Sequence, residues 1–143
     1  MLSWGSWQVY ALGSAFFAGL TAILGKAGVA GINSNLATFI RTLVILAFSA
    51  TWITARGEWE RVDNWASRGT LFLVLSGLAT GGSWLCYYRA LQLGPASKVA
   101  PVDKLSVAFA IVLAVIFLGE TLTWRTALGG CLVIAGSLVL AFG

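Results

Sequence analysis

Apolar residues in this chain run in long stretches, not in the 3.6-residue stripes of a surface helix or the alternation of a half-buried strand. Cutting the sequence where charges and turn residues interrupt leaves five segments, at roughly 7–25, 35–55, 69–88, 99–118 and 126–143. Each is close to the length a helix needs to cross a hydrocarbon core of about 30 Å at 1.5 Å per residue. The pattern predicts an all-α fold, a polytopic membrane bundle of five transmembrane helices forming one domain over residues 1–143. Lys26 closes the first segment, and a loop around Gly31 and Asn33 leads into the second. Between the second and third, the stretch from Arg56 to Arg68 interleaves Trp59, Val62 and Trp65 with charges, and reads as an interfacial loop or a short amphipathic helix.

Composition closes off other classes. Charged residues make up 10% of the chain, against about a quarter in a soluble domain. Hydrophobic types make up 59% and the mean hydropathy is +0.89, so the bilayer is the expected surroundings. The net charge of +4 comes without a basic cluster, which excludes nucleic acid as a partner. Histidine is absent, and Cys86 and Cys131 stand alone among apolar residues, so neither a metal site, a disulfide nor a cofactor is expected. No nucleophile motif and no second carboxylate beside Asp103 suggest acid–base work, so the chain is not expected to be an enzyme. A channel would want a ring of like charge, and none is evident. The N-terminus lacks the positive region of a signal peptide, so the first segment is expected to stay as a span.

Five crossings place Trp4, Trp7, Trp52, Trp59, Trp65 and Trp124 on the face that carries the N-terminus, where they predict an aromatic belt. That face holds Arg56, Arg61, Arg68 and Arg125; the other holds Lys26, Arg89 and Lys98, with Arg41 and Lys104 inset. Since Lys/Arg asymmetry sets orientation, this near balance predicts dual topology in an inner cell membrane. Two copies of an odd-span unit must lie in opposite orientations to form an inverted pair, which makes an antiparallel homodimer the economical assembly. Small residues recur at helical spacing at Ala11, Ala15 and Gly19, at Gly77 and Gly81, at Ser106, Ala110 and Ala114, and at Gly129, Gly136 and Gly143. They suit either packing within the subunit or a dimer interface.

Ionisable groups at membrane depth are costly and therefore functional candidates. Arg41 lies about 9 Å inside the second span, and Asp103 and Lys104 about 6 to 8 Å inside the fourth. With Trp84, Tyr87 and Tyr88 as walls, they predict a net-positive substrate site suited to a carboxylate, phosphate or zwitterion, in which Arg41 forms a bidentate clamp. Asp103 is the acid well inside a span; it is a proton-coupling candidate, or else it neutralises Arg41 or Lys104. Arg89 and Lys98 read as interfacial anchors, and Glu120 as a turn residue paired with Arg125. Pro101 either breaks the start of the fourth span or simply begins it.

The run Tyr88-Arg89-Ala90-Leu91-Gln92-Leu93-Gly94-Pro95-Ala96-Ser97, then Ala100-Pro101-Val102, Leu118-Gly119-Glu120 and Leu128-Gly129-Gly130 through Gly136, resembles the EamA domain of drug/metabolite transporters. The similarity extends to Phe16 through Ala27 and to Arg41, and so covers essentially the whole chain. The resemblance implies a secondary carrier working by alternating access. Family members usually look like ten-span proteins of two inverted five-span units, so this chain resembles one unit, which would pair with itself or with a second half-transporter. Small multidrug relatives use an acid in the first span, and this first span has none, so that residue's chemistry does not carry over. The expected function is secondary transport of a small polar or amphipathic metabolite. The alternative is a noncatalytic membrane subunit of a heteromeric carrier, or of a flippase for a lipid-linked group.

Overall fold

The computed structural model describes residues 6–61 and 67–143. Its helices are α1 (Ser6–Gly28), α2 (Ser34–Arg56), α3 (Arg68–Leu93), α4 (Ala96–Asp103), α5 (Ser106–Leu118) and α6 (Trp124–Phe142), with no strand among the described residues. Counting α4 and α5 as one crossing, five helices are long and apolar enough to span a bilayer. Their surfaces are made of exposed apolar side chains, including Phe16, Phe17, Leu73, Phe109, Phe117 and Val139. Such a surface would drive aggregation in water and is the proper one for lipid, where packing relies on small residues and polar contacts.

Two helices end on glycines in the left-handed region, Gly57 at φ 65° and Gly119 at φ 67°, where a β-carbon would be strained. After α2 the Gly57 and Glu58 amides donate back to Thr54 and Ile53 carbonyls, and after α5 the Glu120 amide donates to Ala114, which satisfies the terminal carbonyls. The Asn33 side chain caps α2 by accepting from the Asn35 amide, and the Thr123 hydroxyl caps α6 by accepting from the Thr126 amide. Within the helices Thr38, Thr42, Thr51, Thr54 and Thr80 each donate to the carbonyl four residues earlier. That bond keeps a hydroxyl satisfied where water is absent.

Two compact units emerge from the contacts, Met1–Ala27 with Leu93–Gly143, and Gly28–Gln92. In the first, α6 packs on α4 and α5. Gly130 is buried there, and a β-carbon at its position would sit 3.1 Å from Cδ1 of Ile111. The Lys26 ammonium donates to the Gly94 carbonyl at 2.8 Å, tying the end of α1 to the turn that opens α4. Within their own units Gly19, Gly77, Gly81, Gly129 and Gly136 have nothing within 4 Å of an added β-carbon. Packing inside these units therefore does not account for those five glycines, and a close approach to another helix falls at Gly130 instead. Gly130→Val is expected to cost about 1–3 kcal/mol by overpacking. Gly130→Ala should cost less, because its β-carbon meets only the end of a flexible side chain. Unfolding in denaturing detergent measures both, and a valine variant as stable as the parent would contradict this packing.

The fourth span departs from both readings of Pro101. The helix starts at Ala96, with Pro95 extended before it and the Lys98 and Val99 amides bonded to the Pro95 carbonyl, so Pro101 lies in the second turn. Proline has no N–H, and the Ser97 carbonyl loses its donor four residues on. The chain tightens immediately afterwards. Lys104, Leu105, Val107 and Ala108 donate three residues back, to Pro101, Val102, Lys104 and Leu105, a 3₁₀ pattern that divides the span into α4 and α5. Lys104 and Leu105 keep right-handed helical angles, so the span bends and does not terminate.

The stretch after α2 is a non-helical loop over residues 58–61, with Arg56 paired to Glu58 and the Trp59 indole donating to Thr54. The expectations for Val62 and Trp65 in this loop, and for Trp4, lie outside the described residues. Trp7 stands at the start of α1, Trp52 in the last turns of α2 and Trp124 at the start of α6, all three exposed. These are the helix ends where indoles settle at a lipid–water boundary. Glu120 does not pair with Arg125; ion pairs form between Arg56 and Glu58 and between Lys104 and Asp103.

Candidate functional site

Helix α2 is built inside out. Ser34 and Thr38 are buried and Arg41 is half-buried on one stripe, while Leu36, Phe39, Ile40, Leu43 and Val44 are exposed. Positions 34, 38, 41 and 45 recur at helical spacing, so the polar groups share one face and the apolar ones take the lipid side. Helix α3 answers with Trp84, Tyr87, Tyr88 and Leu91, also at helical spacing, of which Tyr88 and Leu91 are buried.

The Arg41 guanidinium joins the two helices. Its central carbon lies 4.1 Å from the Trp84 ring centroid and 5.5 Å from that of Tyr88. Trp84 and Tyr88 are one helical turn apart and so present a pair of rings to one cation. Cation–π contact of this kind contributes about 0.5–2 kcal/mol, the upper end when water is excluded. Tyr87 meets Tyr88 edge-on, with centroids 6.4 Å apart and planes at 65°, which extends the aromatic wall. From the start of α2, Arg41 is about 10 Å along the helix axis. Charged groups at such depth cost a few kcal/mol on insertion scales, and the ring contacts offset only part of that.

No carboxylate of α2 or α3 offsets the rest. Helices α2 and α3 contain no acidic residue, and among the described residues Arg41 makes no ion pair. Its neighbours Thr38 and Thr42 commit their hydroxyl protons to backbone carbonyls. At the end of the same two helices, Arg89 donates to the Gln92 side-chain oxygen at 2.7 Å, and Gln92 donates to the Ile32 carbonyl at 2.9 Å. Arg89, expected as an interfacial anchor, thus supports the loop that enters α2. Gln92 is the residue that reading the sequence overlooked; its only signal there was a polar amide three positions after Arg89 on a helix.

Asp103 and Lys104 belong to the other unit, at the bend between α4 and α5. They pair with each other at 3.3 Å, with side chains 37% and 53% exposed, so the neutralisation of Asp103 is supplied by its neighbour. The site residues foreseen in the sequence therefore divide into Arg41, Trp84, Tyr87 and Tyr88 in one unit and the Asp103–Lys104 pair in the other. Among the described residues no group of three or more His, Cys, Asp or Glu is placed to hold a metal.

Comparison with known proteins agrees with this architecture. The profile described as "EamA-like transporter family" matches residues 5–142. A Sinorhizobium sp. protein described as "Uncharacterized transporter in cobO 3'region" is 53% identical over 136 residues, covering 95% of this chain and 96% of that protein. The Homo sapiens protein "Solute carrier family 35 member G1" is 30% identical over 129 residues, which is 90% of this chain but 34% of that protein. An uncharacterized protein of Methanocaldococcus jannaschii is 38% identical over 72 residues, 50% of this chain and 52% of its own length. No solved structure matches. Five apolar spans, a family match over nearly the full length and a transporter relative of similar size lead to one conclusion: the chain is a multi-pass membrane protein belonging to the EamA-like transporter family.

Proposed function

We propose that the chain is a secondary-active transporter that moves a small polar or amphipathic metabolite by alternating access, as an antiparallel homodimer in the inner cell membrane. The observation that carries this reading is a length match. A relative named as a transporter is covered over 96% of its length by one five-span unit. An odd number of spans puts the two ends on opposite faces of the bilayer, so a second copy completes an inverted pair only by inserting the other way up. The near balance of Lys and Arg between the two faces permits both insertions.

In this reading Arg41, Trp84, Tyr87 and Tyr88 receive the polar end of the substrate. Asp103 carries the coupling proton, with Lys104 holding its carboxylate between protonations. The bend between α4 and α5 is where the span changes shape between the two arrangements, each substrate and proton favouring the arrangement it binds better. A second reading, a subunit that works with a different half-transporter, is favoured by the human relative, of which this unit matches 34%.

Purified chain alone, reconstituted in liposomes under a pH gradient and offered a panel of labelled amino acids and organic acids, tests the proposal. Gradient-dependent uptake of at least one solute is the expected result. A folded chain that moves nothing alone, and gains flux only when another five-span protein is added, would replace the homodimer with the heteromer.

A further inference from the structure

We infer that Gln92 is a positioning residue: its side-chain amide fixes the sliding register of α2 against α3, and that register holds the Arg41 guanidinium over the Trp84 ring. The inference rests on the transport reading above for its consequence, since Arg41 and Trp84 belong to the site that receives the polar end of the substrate. Three observations carry it, all within the unit Gly28–Gln92. First, Gln92 Nε2 donates to the Ile32 carbonyl at 2.9 Å, which joins the last turn of α3 to the loop before α2. Second, the amide is aimed. Arg89 Nη1 donates to Gln92 Oε1 at 2.7 Å, and this leaves the Nε2 side turned to Ile32. Third, the loop moves with its helix. The Ile32 amide donates to the Val29 carbonyl, Asn33 next to it caps α2 by accepting from the Asn35 amide, and Val29 and Leu91 are fully buried. A shift of Ile32 therefore carries the start of α2 with it.

The two helices meet at two heights, Ile32 with Gln92 and Arg41 with Trp84, so they run antiparallel. Arg41 is about 10 Å along α2 from Ser34, and Trp84 about 12 Å back along α3 from Gln92. These similar distances from the amide bring guanidinium and indole level. Apolar contact is non-directional, so a helix pair that slides still packs. A hydrogen bond weakens steeply when its geometry is lost, so the Gln92 bond favours one register. Sliding by one turn is a shift of about 5.4 Å. Tyr88 lies one turn beyond Trp84 with its ring centroid 5.5 Å from the same guanidinium carbon, so a pair slid that way would set the cation over the phenol. Gln92 thus selects one of two rings, and with it the depth at which the charge is offered to a substrate.

The test uses the full chain in lipid nanodiscs with 5-fluorotryptophan in place of tryptophan. Fluorine NMR reads the Trp84 line, identified by its loss in Trp84→Phe, and Arg41→Gln establishes that this line responds to the guanidinium. Gln92→Glu keeps the oxygen that Arg89 reaches and removes the donor to Ile32; Gln92→Met has a similar length, removes the donor and adds no charge. Both are expected to displace the Trp84 line in the same direction, while the lines of Trp7 and Trp124 and the helix content stay those of the parent. A Trp84 line unmoved in either folded variant would overturn the inference, and so would a displacement in Gln92→Glu alone, which would report only the added charge. For a solute that the parent carries in liposomes, Gln92→Met is expected to raise KM about fivefold with the maximal rate less affected, the size of one hydrogen bond's contribution. An unchanged KM with the line displaced would overturn the role of the register in binding. Absence of all flux from folded parent protein, with the line displaced in both variants, would instead remove the transport reading and leave the register standing.

Discussion

Arg41→Gln is expected to lower transport by roughly 10- to 100-fold, the span that follows from losing hydrogen bonds to a charged group at about 1.5–3 kcal/mol. Glutamine keeps length and polarity and removes the charge and the fork together. The variant leaves no acid of α2 or α3 unpaired, because those helices contain none, so the loss should fall on transport and not on folding. Removing a cation from membrane depth recovers its insertion cost and loses its contacts with the Trp84 and Tyr88 rings, so the helix pair is expected to keep close to its parent stability. Thermal unfolding and initial uptake rates, measured side by side, check the two halves of this statement. Undiminished uptake by Arg41→Gln would take Arg41 out of the substrate site.

Asp103→Asn is expected to abolish solute accumulation driven by a pH gradient while leaving exchange of solute for solute across the same liposomes. The amide has the shape of the acid and cannot take up and release a proton in the working range. Asp103 is partly exposed and its pair with Lys104 is local, so the structural cost of the change is that of a surface ion pair, which is small. The bend between Pro101 and Leu105 places this carboxylate where α4 meets α5, and a charge change there acts on the part of the span with the weakest helical bonding. Gradient-driven accumulation that persists in Asp103→Asn, with its pH dependence unaltered, would assign the coupling proton elsewhere.

The crossings were legible in the sequence because lipid imposes a simple rule: apolar runs of a set length, interrupted by charge. The aromatic stripe on α3 was legible for a similar reason, since Trp84, Tyr87 and Tyr88 repeat at helical spacing. Residue spacing along one helix says nothing about which partner a long side chain reaches, and so it did not show that the Arg41 guanidinium sits over the Trp84 ring while Asp103 pairs with Lys104. The small-residue stripes did not single out Gly130 for a physical reason. Glycine and alanine are frequent in any membrane helix, and spacing alone does not show which of them, such as Gly130 against Ile111, meets a facing side chain. The position of the bend also escaped the sequence. Pro101 was visible, but the helix begins several residues earlier than the charge pattern implied, because Pro95 and its carbonyl nucleate the first turn.

The pairing of opposite orientations is tested most directly by labelling one loop from both sides of the membrane. Glu60 is exposed in the loop after α2, and Glu60→Cys with Cys86 and Cys131 changed to alanine offers a single thiol. A membrane-impermeant maleimide, applied to sealed vesicles from outside and then from inside, should label two populations of comparable size. A short thiol-specific cross-linker should then fail to join the two thiols of a dimer, because they lie on opposite faces. Labelling from one side only, by a pure chain that still carries solute down a gradient, would contradict the account.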